Sequence, residues 1–253
     1  MSSAMLEGRK VLITGASGGL GEHFARICAA AGATVVLGAR RIDRLATIVD
    51  GIVATGGRAL AVPMDVTSEL SVQQAFDQAE SEVGPLDSIV ANAGIEKSGS
   101  VDTLDVDDWD TVFAVNVRGV FLTAREAAKR MRAAGITERG RIVLISSITA
   151  RTTSPGIACY SASKAAVSHM GRLFAREWVR SGPNVNCISP GYIGTDMVND
   201  WFATEAGQKQ INRFPRRRLV QDDGLDGALL FLLSDAAHNT TGADITVDDG
   251  QTL

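Results

Sequence analysis

A doubly wound α/β fold, one parallel sheet of about seven strands with helices on both faces, is predicted by three features of the sequence. Short apolar runs recur along the chain, and most are separated by amphipathic stretches long enough for helices. The runs show little in-and-out alternation, which is how strands read when both faces of their sheet are covered. Strand alternating with helix calls for right-handed crossovers between parallel neighbours, and these wind the chain to both sides of the sheet.

Val11-Leu12-Ile13 makes Lys10 to Thr14 a buried strand, which breaks at once into Gly15-Ala16-Ser17-Gly18-Gly19-Leu20-Gly21, and a helix follows to about Ala31. Further strands are expected at Thr34 to Gly38, Ala59 to Pro63, Leu86 to Ala91, Arg141 to Ser146, Val185 to Ser189 and Ile245 to Val247. Gly191 to Leu219, between the sixth strand and a helix around Asp222 to Ser234, departs from the regular alternation and is expected to form a substrate lid. No linker, low-complexity tract or repeat divides the chain, so residues 1–253 read as a single domain, a length that one α/β domain commonly carries.

With 25 Lys and Arg against 29 Asp and Glu the formal net charge is −4, which argues against nucleic-acid binding through bulk charge. Apolar residues at 45% and charged residues at 21% are near a globular average, which excludes disorder. No apolar run approaches the ~18 residues of a membrane span, and the start of the chain lacks the apolar stretch of a secretory signal. A cytoplasmic chain with no membrane partner is therefore expected. Cys28, Cys159 and Cys187 are odd in number and far apart, which fits reduced buried thiols better than a disulfide or zinc site. The three histidines do not cluster with them, and no metal site is expected.

The glycine segment supplies a tight turn, outward-facing backbone amides and a positive helix N-terminus, three features that suit a pyrophosphate. Its spacing, Thr14-Gly15 with Gly19 and Gly21, is not G-x-G-x-x-G, and a loop that merely allows close helix–sheet packing is the plainer alternative. The kind of nucleotide is indicated at the end of the second strand, where Ala39 leads into Arg40-Arg41. An acidic residue there binds a ribose 2′-hydroxyl, whereas arginine accommodates a 2′-phosphate, so NADP(H) is preferred and NAD(H) is the alternative. Arg40, Arg41 and Arg44 also fit a solvated face.

Tyr160-Ser161-Ala162-Ser163-Lys164 puts a phenol and an ammonium one helical turn apart on one face. A free tyrosine titrates near pH 10, and an adjacent Lys164 cation, helped by a positively charged nicotinamide, would draw it toward neutrality and make an acid/base pair. Such a pair also arises by chance on many helices, but Ser146-Ser147 closes the fifth strand, at the sheet end where open α/β folds bind ligands.

Taken together these residues resemble the short-chain dehydrogenase/reductase family of single-domain, Rossmann-type enzymes, over nearly the whole chain. Gly15, Gly19 and Gly21, with Ser17 and Leu20 between them, match the family's cofactor loop, Asp65-Val66 the pair at the adenine, and Asn92-Ala93-Gly94 three of the four residues of Asn-Asn-Ala-Gly. The first of the four is Ala91 here, a departure that bears on a sheet-stabilising hydrogen bond of the family rather than on the chemistry. Asn116, Ser147, Tyr160 and Lys164 match the catalytic tetrad, and Pro190-Gly191 with Ile193 and Thr195 matches the segment at the nicotinamide. The resemblance implies hydride transfer between nicotinamide and a ketone or secondary alcohol. Ser147 would polarise the carbonyl, Tyr160 would deliver the proton, and Lys164 would lower the phenol's pKa and hold the ribose. Asn116 would hold a water leading to Lys164; read alone, it fits a buried amide equally. A homotetramer is also implied.

An NADPH-preferring reductase of a hydrophobic ketone is the expected activity, with 3-oxoacyl carrier-protein reductase the alternative and a non-enzymatic nucleotide sensor the more distant one. Selectivity is expected from Ile95-Glu96, Ile148 to Ala158 and the lid residues Tyr192, Ile193, Met197, Val198, Trp201 and Phe202. Trp201-Phe202 fits the core face of a lid helix as well, and Glu96 fits a solvated loop. Arg216-Arg217-Arg218 suits an acidic carrier, a solvated turn or an ion-pair set, while His169 and Cys159 read as packing residues.

Overall fold

The computed structural model describes residues 5–194, 199–221 and 223–253. Seven parallel strands form one sheet: β1 Lys10–Thr14, β2 Thr34–Ala39, β3 Arg58–Pro63, β4 Ser88–Ala91, β5 Arg141–Ile145, β6 Asn184–Pro190 and β7 Asp244–Val247. Their order is β3-β2-β1-β4-β5-β6-β7, so the chain reverses its winding between β1 and β4 and opens a crevice at their C-terminal ends. The helices are α1 Gly19–Ala30, α2 Ile42–Ala54, α3 Glu69–Val83, α4 Val106–Phe113, α5 Gly119–Ala133, α6 Ala158–Trp178, α7 Asn199–Ala203, α8 Glu205–Ile211 and α9 Asp226–Leu233.

Helices on both faces account for the missing alternation. Val11 and Ile13 of β1 join Val35, Leu37, Val143 and Ile188 under Phe24 and Cys28 of α1 and Leu229 and Leu233 of α9. Leu12 between them faces the opposite layer, with Val36, Ile142 and Leu144 under Phe76 of α3, Met131 of α5 and Val167 of α6. Both side-chain directions along each central strand end in apolar packing, so either polarity of the strand pattern buries surface.

Two boundaries differ from the sequence expectation by more than one residue. β4 begins at Ser88, because the Leu86 amide is taken by the Glu80 carboxylate and the Asp87 carboxylate accepts from Ser88 and faces Arg9 at 3.6 Å. The last helix starts at Asp226, since the Gly224 and Asp226 amides close turns to Gln221 and Asp223; the expected start, Asp222, lies outside the described residues. The stretch expected to form a lid carries α7 and α8. All three cysteines are buried and free, and no helix among the described residues is long and apolar enough to cross a membrane.

The 21-residue α6 carries the Tyr160–Lys164 pair, and its seat on the sheet depends on one glycine. A Cβ at Gly171 would lie 2.3 Å from the Cys187 Sγ of β6. Alanine gains about 1 kcal/mol over glycine inside a helix, but overpacking against a rigid strand costs about 1–3 kcal/mol. Gly171→Ala is therefore expected to lower the urea midpoint at unchanged slope. A midpoint at or above that of the parent protein would show that α6 has room to shift.

Candidate active site

The crevice at the switch point is one continuous cleft of about 830 Å3, running from the glycine loop past Ser147 and Tyr160 to Tyr192 and Trp201. At its first end, Gly15 has φ +68° and a Cβ there would lie 2.8 Å from the Cα of Ala93; one at Gly21 would lie 2.4 Å from the Gly15 carbonyl oxygen. The glycines thus let α1 start directly against the β1 and β4 termini. Gly18 caps α1 without a side-chain hydrogen bond, which leaves the first-turn amides for an outside acceptor. Nε and Nη2 of Arg41 donate to the Ser17 hydroxyl at 3.1 and 2.9 Å, so this guanidinium is anchored over the loop, whereas Arg40 stands beside Asp65. Asp65 accepts from the Thr67 amide and hydroxyl, and these bonds, the backbone one first, hold its carboxyl below the usual range.

The loop after β4 is fastened from both sides. Thr14 Oγ1 accepts from the amides of Asn92 and Ala93, each at 3.0 Å, and the Thr14 carbonyl accepts from Asn92 Nδ2. Asn116 sits in a π-helical turn, Ala114–Arg118, with its side chain buried. Its Oδ1 accepts from the Ile95 amide at 2.8 Å, and its Nδ2 donates to the Ile95 carbonyl at 2.9 Å and to Ser163 Oγ at 3.0 Å. This amide is committed to protein groups rather than turned toward the cleft. A Cβ at Gly94 would lie 3.4 Å from Lys164 Nζ and 3.5 Å from Asn116 Oδ1, so a side chain there would press between them.

Ser147 Oγ accepts from the Thr149 amide at 3.1 Å and from the Thr149 hydroxyl at 3.0 Å. A hydroxyl oxygen has two lone pairs, so its own proton is left to donate. The Tyr160 phenol lines the same cleft, and the nearness of the Ser147 hydroxyl pulls its pKa down. Burial is the larger influence and, with the Glu96 carboxylate and Tyr192, holds Tyr160 above its ordinary value. Lys164 Nζ lies 5.6 Å from the centroid of the Tyr160 ring and donates to the Ile145 carbonyl at 2.9 Å. Burial pushes it down to about 8. Burial works against charge on both groups, because desolvation disfavours phenolate and ammonium alike.

Beyond β6, the Gly191 amide donates to the Val247 carbonyl at 2.9 Å, and a Cβ at Gly191 would lie 2.8 Å from the Cα of Asp248. Gln251 Oε1 accepts from the Tyr192 amide at 2.7 Å, so the chain's last turn fixes this wall of the cleft.

A family model described as Enoyl-(Acyl carrier protein) reductase matches residues 15–252. The chain is 35% identical to a gluconate 5-dehydrogenase of Gluconobacter oxydans (strain 621H) over 98% of its own length and 96% of the relative's. It superposes on the crystal structure of a short-chain type dehydrogenase/reductase from Mycobacterium marinum with a TM-score of 0.91 and 36% identity, covering 98% of this chain and 96% of that one. The chain belongs to the short-chain dehydrogenase/reductase family. It is an NAD(P)-dependent oxidoreductase. Another member of the family, a gluconate 5-dehydrogenase from Burkholderia cenocepacia J2315 crystallised with NADP and tartrate, superposes with a TM-score of 0.93 at 34% identity, covering 99% of this chain and 98% of that one.

In this short-chain dehydrogenase/reductase, the site residues read from the sequence line the cleft, with two exceptions. Asn116 lies behind it, and Thr195, with Met197 and Val198, lies outside the described residues. Phe202 is buried against Tyr192, while Trp201 beside it lines the cleft. Arg216 and Arg218 both pair with Asp249, at 3.2 and 2.7 Å. Ala91 is buried in the apolar layer under α3 and α5. Sequence reasoning missed Gln251, whose side-chain amide reaches the site from some sixty positions along the chain, and gave Thr14 of the glycine motif and Thr149 no bracing role of their own.

Proposed function

We propose that this enzyme transfers a hydride between NADP(H), in preference to NAD(H), and a ketone or secondary alcohol, with Ser147, Tyr160 and Lys164 as its catalytic residues. The observation that carries the reading is the arrangement at Ser147: Thr149 donates to its oxygen twice, which leaves its own proton to donate, and it shares with Tyr160 and Lys164 a cleft continuous with the glycine loop. The loop fits a dinucleotide, because it leaves amides at the start of α1 without side-chain partners and a cradle that a Cβ at Gly15 or Gly21 would fill. Gly15 to Gly21 with Arg40 and Arg41 would hold the phosphates, Asp65 and Val66 the adenine, Asn92 to Gly94 the ribose side, and Pro190, Gly191 and Ile193 the nicotinamide side. When bound, the nicotinamide supplies or accepts the hydride.

In reduction, Ser147 donates to the carbonyl oxygen and Tyr160 delivers a proton to it as negative charge develops. Lys164 holds a positive charge beneath the phenol and steadies the tyrosinate that remains. Asn116 acts at one remove as a positioning residue, fixing the Ile95 backbone and, through Ser163, the first turns of α6. An apolar wall of Ile95, Ile148, Ile157 and Trp201 favours a carbonyl flanked by hydrocarbon. Gluconate, the substrate in the relatives' names, is less well suited, because the same end presents the Glu96 carboxylate. The alternative, reduction of 3-oxoacyl groups on a carrier protein, shares with the description of the matching family model the acyl carrier but not the reacting group. The pairing of Arg216 and Arg218 with Asp249 weakens the one basic run that would greet an acidic carrier.

The test is nicotinamide absorbance over time with NADPH and NADH against neutral ketones of graded size and acyl-thioester ketones. Turnover of the free ketones with NADPH is expected, and turnover of the thioesters alone would replace this reading with the carrier-protein one. The pH dependence has a definite sign. Oxidation needs the Tyr160 proton absent and rises with pH through the alkaline range, because burial keeps that proton on. Reduction needs it present and falls as pH rises through about 8, where Lys164 gives up its charge. Reduction that stays flat well above that pH would detach Lys164 from the proton step.

A further inference from the structure

Resting on the reductase reading, the substrate class can be narrowed from the far end of the cleft. Two carboxylates line the cleft among the described residues, and they sit in different surroundings. Asp65 is bonded to Thr67 beside Arg40, at the nucleotide end. Glu96 follows Ile95, whose amide and carbonyl are both clamped by Asn116, so its backbone is fixed at the substrate end. Its one side-chain hydrogen bond among the described residues is from Ser98 to Oε1 at 2.9 Å, and no lysine or arginine among them pairs with it. The neighbouring Lys97 turns away to Asp108 at 3.0 Å. The charge is close enough to act on the Tyr160 phenol. Around the same opening stand Tyr192 and Trp201, whose indole is half exposed and held by a bond from Nε1 to Gln210 at 2.9 Å. A carboxylate without a cation, in a cleft that Tyr192 and Trp201 also line, favours an organic cation.

We propose that Glu96 sorts substrates by charge: a ketone or alcohol bearing a protonated amine on the side remote from the reacting carbon is favoured over its neutral counterpart, and one bearing a carboxylate is disfavoured. The amine gains a charge-assisted hydrogen bond to the carboxylate oxygen that Ser98 does not use. A carboxylate in the same place meets like charge in a partly dehydrated cleft.

Wild type, Glu96→Gln and Glu96→Asp would be compared on cyclohexanones substituted at C4 with an aminomethyl, a methyl or a carboxylate group. The readout is the ratio of kcat/KM for the amine over that for the carboxylate. Both substrates use the same Tyr160 step, so changes in that step cancel in the ratio. Glu96→Gln is expected to lower the ratio by about 100-fold, roughly tenfold from each charge, with Glu96→Asp intermediate. The amino alcohol product, titrated calorimetrically into the NADP+-loaded protein, is expected to bind about tenfold more weakly to Glu96→Gln. In the oxidation direction the pH limb of Glu96→Gln moves to lower pH, since of the groups facing Tyr160 (Glu96, Tyr192, Ser147 and Lys164) the variant removes the one negative charge. A ratio within about threefold of wild type, with the methyl ketone still turned over, overturns the charge-sorting role and leaves the reductase reading standing. Weakened NADP+ affinity with an unchanged ratio overturns it too, by assigning Glu96 to the cofactor. Failure of all three ketones in wild type removes the reductase reading and this inference with it.

Discussion

Tyr160→Phe is expected to lower kcat for ketone reduction by about 1,000-fold or more, while the dissociation constant for NADPH stays within a few-fold of wild type. The ring stays, so the packing of the first turn of α6 and the approach of Lys164 at 5.6 Å to the ring centroid are kept. Only the hydroxyl is lost, and with it the acid set to deliver the proton; Ser147 has an O–H to donate, but it is a far weaker acid than a phenol. Positioning and the Ser147 hydrogen bond survive, which sets the size of the residual rate. Nicotinamide absorbance gives the turnover, and quenching or enhancement of nucleotide fluorescence gives the affinity independently. A variant that retains more than about a tenth of the wild-type rate would take Tyr160 out of the proton transfer.

Arg40→Asp is expected to reduce the preference for NADPH over NADH, as a ratio of kcat/KM values, by about 100-fold, and Arg41→Ala by about tenfold. The two arginines are not equivalent. Arg41 spends two of its donors on Ser17 and is held over the glycine loop, so its loss removes a phosphate partner and loosens the loop for either cofactor. Arg40 has no such bond among the described residues and stands free beside Asp65, and a carboxylate in its place repels a 2′-phosphate while accepting from a 2′-hydroxyl. Titration of the two oxidised nucleotides by fluorescence should show the same inversion without turnover. An unchanged ratio in both variants would place the 2′-phosphate elsewhere.

These expectations start from short stretches of sequence whose geometry is local. Gly15, Gly19 and Gly21 specify a turn and a close approach that other residues refuse, Tyr160 and Lys164 share a helix face because the helical period makes them do so, and the buried strands declare themselves by unbroken apolar runs. That is why the doubly wound sheet and the glycine-loop, strand-end and helix positions along the cleft were legible before any coordinates. What the sequence did not carry is how distant groups meet. Thr14 fastening Asn92 and Ala93 joins β1 to β4, the Asn116 amide spans from a π-turn to Ile95 and Ser163, and Gln251 braces Tyr192 across some sixty positions of chain. A hydrogen-bond partner far along the chain leaves no periodic mark, so only the folded arrangement names it.

The same division explains the electrostatics. From sequence, Lys164 one turn from Tyr160 reads as a cation that acidifies a phenol, since spacing gives proximity and proximity gives a Coulombic sign. Burial has no sequence spacing, and in the folded protein it is the dominant influence on both groups, raising the phenol and bringing Lys164 down to about 8. The sequence by itself determined the fold, the family and the residue types that face the cleft. The tertiary structure alone decided which of them are desolvated, that Ser147 is turned into a donor by Thr149, and that Glu96 stands in the cleft without a cation among the described residues, because each depends on what packs around a group and not on what precedes it in the chain.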